Sequence, residues 1–151
     1  EAKEEEYRMI EVCQEYLPRH KPVYLMGAGN PIELLEAIER GCDMFDSRFP
    51  TMNARHGNIF SWKGKYIVTN AEHKGSLKPL DEECECSVCT RYSRAYVCHL
   101  IRNEEGVGYQ LASYHNLYFL QELMRRVRVA IRAGNFGKFK KGFIRAYGGK
   151  K

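Results

Sequence analysis

Long apolar runs are missing from this sequence. No stretch approaches the ~20 apolar residues that a membrane helix needs, so no membrane span is expected. A leader pattern is missing too: the first residues are acidic and amphipathic where a secretory signal would be apolar. Six cysteines without an export pattern fit a reducing compartment, and the expected location is cytoplasmic. There is no internal repeat and no low-complexity segment, and 151 residues suffice for one domain with a core. Position 1 is Glu rather than Met, so the sequence reads as processed, trimmed or part of something longer. Acids are absent from Met124 to Lys151, a segment that holds ten Lys or Arg.

That last absence belongs to a wider asymmetry. Residues 1–46 hold 11 acids and 5 bases, whereas residues 47–151 hold 19 bases and 8 acids. The overall net charge of +5 hides this. A one-signed surface suits a polyanionic partner; a solvated helix face with a basic end is the bland alternative, and charge alone does not choose.

Periodicity and punctuation predict the elements. Residues 3–17 read as a helix with Tyr7, Ile10, Cys13 and Leu17 on one face, ended by Pro18. Pro22 to Met26 is a short apolar run suited to a buried strand, and Gly27-Ala28-Gly29 turns the chain. Asn30 is a natural N-cap and Pro31 fits the first helical position of a helix ending near Arg40, with Leu34, Leu35 and Ile38 inward. Cys42 to Phe45 is a second buried strand ending at Asp46. Strand, turn, helix, strand is a βαβ unit with parallel strands. The Gly-x-Gly lacks a third glycine and precedes a short helix, so it is a weak sign of a nucleotide cofactor.

Further on, residues 58–70 alternate like a hairpin around Lys63-Gly64-Lys65. Tyr92 to Ile101 reads as a helix. Leu117, Leu120, Met124, Val127 and Ile131 define a long amphipathic one that Gly134 stops, and Phe136, Phe139 and Phe143 suggest a terminal helix packed back on the body.

Between the hairpin and these helices lies Cys84-Glu85-Cys86-Ser87-Val88-Cys89. C-x-C-x2-C places three thiols on one tight knuckle, and a tetrahedral zinc ion needs one more ligand. A disulfide is the competing reading, but Cys84 and Cys86 are poorly spaced for one. The fourth ligand is His115 or His99. His99 follows the knuckle closely inside a helical run, and His115 sits near the start of the next helix, where the chain can fold back. Cys13, Cys42 and Cys98 fall on apolar patterns and read as core or interface thiols.

Asp46 closes the second strand. Folds with parallel strands bind ligands beyond the carboxyl ends of those strands, so a carboxylate there is a candidate nucleophile or base. Its companion is the Met26-Gly27 turn, where bare backbone lets a flat ligand approach. Capping the following turn is the alternative role for Asp46. Asp43 points the other way in a period of two, so the acids do not form a pair.

Several runs, in order, resemble tRNA-guanine transglycosylase: Tyr24-Leu25-Met26-Gly27, Gly41 to Asp46, and Pro50-Thr51-Met52-Asn53-Ala54-Arg55-His56-Gly57. Lys78-Pro79-Leu80-Asp81, the cysteine knuckle, Tyr92 to Tyr96 and His115-Asn116 continue it over essentially the whole chain. The resemblance implies an α/β fold: the C-terminal portion of a (β/α)8 TIM barrel with a zinc-binding subdomain. Residues 1–57 would then be the last βα units, and 58–151 the hairpin, zinc-binding subdomain and C-terminal helices. It implies a pentosyltransferase that exchanges guanine in tRNA for a 7-deazaguanine base through a covalent Asp-ribosyl intermediate. Asp46 matches the nucleophile, Met26 and Gly27 the base pocket, Arg55 an RNA contact, and Cys84, Cys86, Cys89 and His115 the zinc ligands. Met52 stands where the family commonly has Arg, and Ser47 where it frequently has Cys. The chain is too short to close a barrel of ~250 residues. A missing N-terminal half or partner subunit is therefore expected, and the isolated chain is expected to be inactive. A homodimer through the zinc subdomain is a further expectation, with Tyr92, Tyr96 and His99 on one helix face. The alternative function is a non-catalytic zinc-containing tRNA-binding or scaffolding subunit of a split transglycosylase.

Overall fold

Eleven elements order the chain in the computed structural model, which describes residues 3–148. They are α1 (Lys3–Tyr16), β1 (Tyr24–Leu25), α2 (Pro31–Glu39), β2 (Met44–Phe45), α3 (Phe49–Arg55), β3 (Asn58–Ile59), β4 (Tyr66–Ile67), a 3-10 turn (Ala71–His73), α4 (Arg94–Arg102), α5 (Gly106–Arg132) and α6 (Phe136–Gly148). The contacts divide the chain into two compact units after Phe49. Among the described residues no helix is long and apolar enough to cross a membrane.

The first unit is a βαβ crossover. Asn30 caps α2 by accepting from the Ile32 N–H (3.0 Å), and Pro31 takes the first turn, where its missing N–H costs nothing. Gly41 then turns out of the helix, and β2 returns parallel to β1 with Tyr24 opposite Met44 and Leu25 opposite Phe45. The core is small: Ile10, Ala37 and Cys42, with Tyr7, Val23, Leu25 and Phe45 against it. Ion pairs Lys3–Glu33 (2.9 Å) and Arg40–Glu11 (2.9 Å) tie α1 to α2.

Three expectations are corrected here. The strands are two residues each and not buried; Tyr24, Met26 and Met44 are exposed, because β1 and β2 pair only with each other and their one covered face lies under the helices. Cys13 and Leu17 are also exposed, since α1 at about 21 Å outruns α2 at about 14 Å. Ala37 rather than Ile38 is fully buried on α2.

The second unit packs a hairpin on two helices. β3 and β4 pair antiparallel, and Ile59, Val68, Leu80, Cys86, Val88, Val97 and Ala112 form its core. Ser93 caps α4 by accepting from the Tyr96 N–H (3.2 Å), so that helix begins two residues later than the sequence suggests. Gly108 lets α5 cross α4 closely: a Cβ there would lie 2.8 Å from the Leu100 Cβ. α6 returns as expected, with Phe143 edge-on to Trp62 (5.9 Å between centroids) and stacked on Tyr147 (5.1 Å).

α5 begins at Gly106, so His115 lies well inside it and not near its start. Its buried stripe is Ala112, His115, Asn116, Phe119, Leu123, Val127 and Ala130, while Leu117 and Ile131 face solvent. Apolar content misplaced this face. The helix is rotated so that His115 and Asn116 point inward, where they are fully buried and hydrogen-bonded to the hairpin.

Candidate functional site

The knuckle and α5 converge on one point. The ligand atoms of Cys84, Cys86, Cys89 and His115 all lie within 4.8 Å of one another. The sulfurs of Cys84, Cys86 and Cys89 stand 3.7, 3.5 and 3.3 Å from His115 Nδ1. A tetrahedral ion with zinc-like bond lengths would set such S···N separations at about 3.6 Å. His115 Nε2 lies 2.8 Å from the Phe60 carbonyl, which can only accept. A ring proton therefore sits on Nε2, and Nδ1 is the nitrogen left to bind a metal once its own proton is displaced, the second-sphere arrangement of metal-ligating histidines. Exposed His99, bonded to Asn103, takes no part.

The proton balance agrees. Hydrogen bonds from Cys84 and Cys89 pull the Cys86 thiol far down, and Cys84 is pushed up as the donor. Burial works against a charged His115, yet hydrogen bonds to Cys86 and Cys89, the Cys89 charge and the Phe60 carbonyl push it up to about 10. Three electron-rich sulfurs and a ring nitrogen around one point call for a positive charge between them. A metal ion answers that by displacing the protons. The residues present therefore fit a four-coordinate metal.

The second site lies in the other unit. Asp46 follows β2 directly, and its Oδ1 accepts from the Tyr24 hydroxyl (2.5 Å) and the Gly27 N–H (3.2 Å). Those bonds, Tyr24 first, hold its carboxyl below the usual carboxylate range, so Asp46 is ionised at neutral pH. Gly27 donates from a left-handed conformation (φ +80°) that favours glycine. Met26 beside it is 76% exposed. Ser47, not Asp46, takes the turn-capping role, accepting from the Phe49 N–H (3.0 Å) and donating to the Gly27 carbonyl (3.2 Å). Asp43 bonds the Val23 N–H (2.8 Å), so the two acids have separate partners.

The family model for queuine tRNA-ribosyltransferase matches residues 1–149. The chain belongs to this family. It is 48% identical to the queuine tRNA-ribosyltransferase of Fusobacterium nucleatum over 150 residues, which is 99% of this chain and 40% of that protein. Identity is 49% over 148 residues with the protein of that name from Thermoanaerobacter sp. strain X514, and 45% over 148 residues with that from Enterococcus faecalis. These cover 98% of this chain each, and 40% and 39% of the relatives. The chain thus spans about two fifths of the length of the curated queuine tRNA-ribosyltransferases it matches.

Arg55 ends α3 in the second unit, exposed. Three contributors had no role assigned from the sequence. Tyr24 stands in the sequence as strand content and as part of the Tyr24-Leu25-Met26-Gly27 run, with no tie to Asp46; strand period two puts it on the Asp46 face, a signal that parallel pairing makes readable. Asn116 bonds the Phe60 N–H through Oδ1 (3.0 Å) and donates to the Pro50 (3.1 Å) and Asn58 (3.0 Å) carbonyls. Asp81, buried, accepts from the Trp62 (2.9 Å) and Glu83 (3.0 Å) N–H groups and pins the hairpin to the start of the knuckle. Nothing local in the sequence marks the last two.

Proposed function

We propose that this chain carries the nucleophile and the zinc-braced subdomain of a tRNA-guanine transglycosylase. On this reading β1 and β2 are the last two strands of a (β/α)8 barrel. The other strands come from residues outside this sequence, on the same polypeptide or a partner subunit. The observation that carries the reading is Asp46: an ionised carboxylate at the carboxyl end of a parallel strand, held through Oδ1 beside the Met26-Gly27 turn.

Both cross-strand bonds fall on Oδ1, and Oδ2 makes the attack. It bonds to C1′ of a guanosine in tRNA while the C1′–N bond to guanine breaks, and an acid supplied by the rest of the enzyme protonates the leaving base. A 7-deazaguanine base then attacks C1′ through its ring N–H nitrogen, returns that proton to the group that had protonated guanine, and displaces the carboxylate. Two inversions at one carbon retain configuration. Met26 and Gly27 form one wall for the flat base, and Arg55 holds RNA. Cys84, Cys86, Cys89 and His115 hold zinc; four protein ligands fill its coordination and make it a structural brace. The setting is the cytoplasm. Tyr92 and Tyr96, exposed and stacked at 5.3 Å, form with His99 the face of a homodimer; Tyr96→Ala should leave a monomer by light scattering, and persisting dimers would place the interface elsewhere.

The test is exchange of labelled guanine into tRNA by the complete assembly. Asp46→Asn keeps size and hydrogen bonding but removes the attacking charge, and should abolish exchange. Unchanged exchange in that variant would sink the nucleophile and favour a scaffolding subunit. Robust exchange by these 151 residues alone would show that no further strands are needed.

A further inference from the structure

A groove of about 630 Å³ runs between the hairpin tip and α6, within the second unit. Three cations line it, Lys63 from the hairpin, Arg126 from α5 and Lys138 from α6, against one acid, Glu83. From Met124 to Gly148 the two helices carry no acid at all. The Arg126 guanidinium lies 3.8 Å from the Trp62 ring centroid, and Glu122 holds its Nε at 3.0 Å, so this cation is set in place rather than loose. Phe139, partly buried and stacked on Phe143 (6.4 Å between centroids), supplies an aromatic wall.

Gly142 opens the floor. It stands in the middle of α6, where glycine weakens a helix relative to alanine. A Cβ there would meet nothing within 4 Å, so no packing requires glycine; the missing side chain is space in the groove. A flat aromatic wall, an open strip of backbone and a cationic rim match one ligand chemistry, a planar base carrying phosphates.

We propose that this groove takes one nucleotide of single-stranded RNA other than the reacting guanosine. Its base lies against Phe139 across Gly142, and its phosphates meet Lys63, Arg126 and Lys138. This rests on the transglycosylase reading for the identity of the polyanion, and it adds a subsite remote in sequence from Asp46.

The zinc-loaded chain is titrated against a short fluorescein-labelled single-stranded RNA by anisotropy at several salt concentrations. Gly142→Leu fills the strip while raising helix propensity; it should weaken binding at least about fivefold, the low end for losing one stacked base, without lowering Tm. Gly137→Leu is the control, since its Cβ also meets nothing within 4 Å but lies off the groove; its affinity should match wild type. Lys63→Ala with Lys138→Ala should flatten the log–log salt slope by about 1.4, two phosphate contacts on a single strand. Unchanged affinity in Gly142→Leu, equal losses in both glycine variants, or an unaltered salt slope would overturn the subsite. Polyglutamate displacing the RNA at equal charge concentration would also overturn it, in favour of an acidic protein partner. Guanine exchange by the complete assembly is scored separately. Groove-dependent RNA binding without exchange would sink the activity and keep the subsite, and normal exchange with an unchanged KM for tRNA in Gly142→Leu would do the reverse.

Discussion

Asn116→Ala should unfold the metal-bearing unit more than any surface change, although the Asn116 side chain is not itself a metal ligand. The side chain is fully buried and makes three hydrogen bonds, to the Phe60 N–H and to the Pro50 and Asn58 carbonyls. Truncation loses two neutral bonds at about 1 kcal/mol each and strands a buried N–H at about 1–3 kcal/mol. The loss of about 4 kcal/mol is a large part of the 5–15 kcal/mol typical of a domain. At a urea slope of about 2 kcal/mol per M, the midpoint falls by about 2 M. Because Phe60 also accepts from His115 Nε2, the same variant should lose metal faster to a chromogenic chelator. Asn116→Asp keeps the Oδ1 acceptor but turns an oxygen toward two carbonyls. Only a protonated carboxyl serves there, so the stability that variant loses relative to wild type should grow as pH rises. A midpoint shift below about 0.5 M for Asn116→Ala, with normal metal release, would refute the claim that this residue couples hairpin to metal centre.

Three further outcomes are expected. Purified chain should carry one zinc by metal analysis, with less than half an equivalent left in His115→Ala; full retention there would remove His115 from the ligand set. Tyr24→Phe removes the largest influence depressing Asp46, so its carboxyl rises and the acid limb of exchange in the complete assembly moves to higher pH; an unmoved limb would show that Tyr24 does not set the charge. Gly108→Ala should cost about 1–3 kcal/mol in urea denaturation, because its Cβ meets Leu100 at 2.8 Å, and a neutral result would mean that α4 and α5 can separate freely.

What was legible in the residues alone was local. Cys84, Cys86 and Cys89 announce a metal through spacing, because a knuckle this tight suits one ion and strains a disulfide. Asn30, Pro31 and the glycines around them predict the βαβ turn and its cap, since those preferences act within one turn of chain. Asp46 was placed at the strand end by the same local logic. Tertiary structure alone decided the rest. It brought His115, the histidine the resemblance already pointed to, within 3.7 Å of all three sulfurs and gave it the Phe60 carbonyl as a partner. It set the rotation of α5 against its own apolar count: burying His115 and Asn116 with their hydrogen bonds met outweighs covering Leu117 and Ile131. It also gave Tyr24 its partner Asp46, through a pairing register between strands 20 residues apart that no local preference encodes.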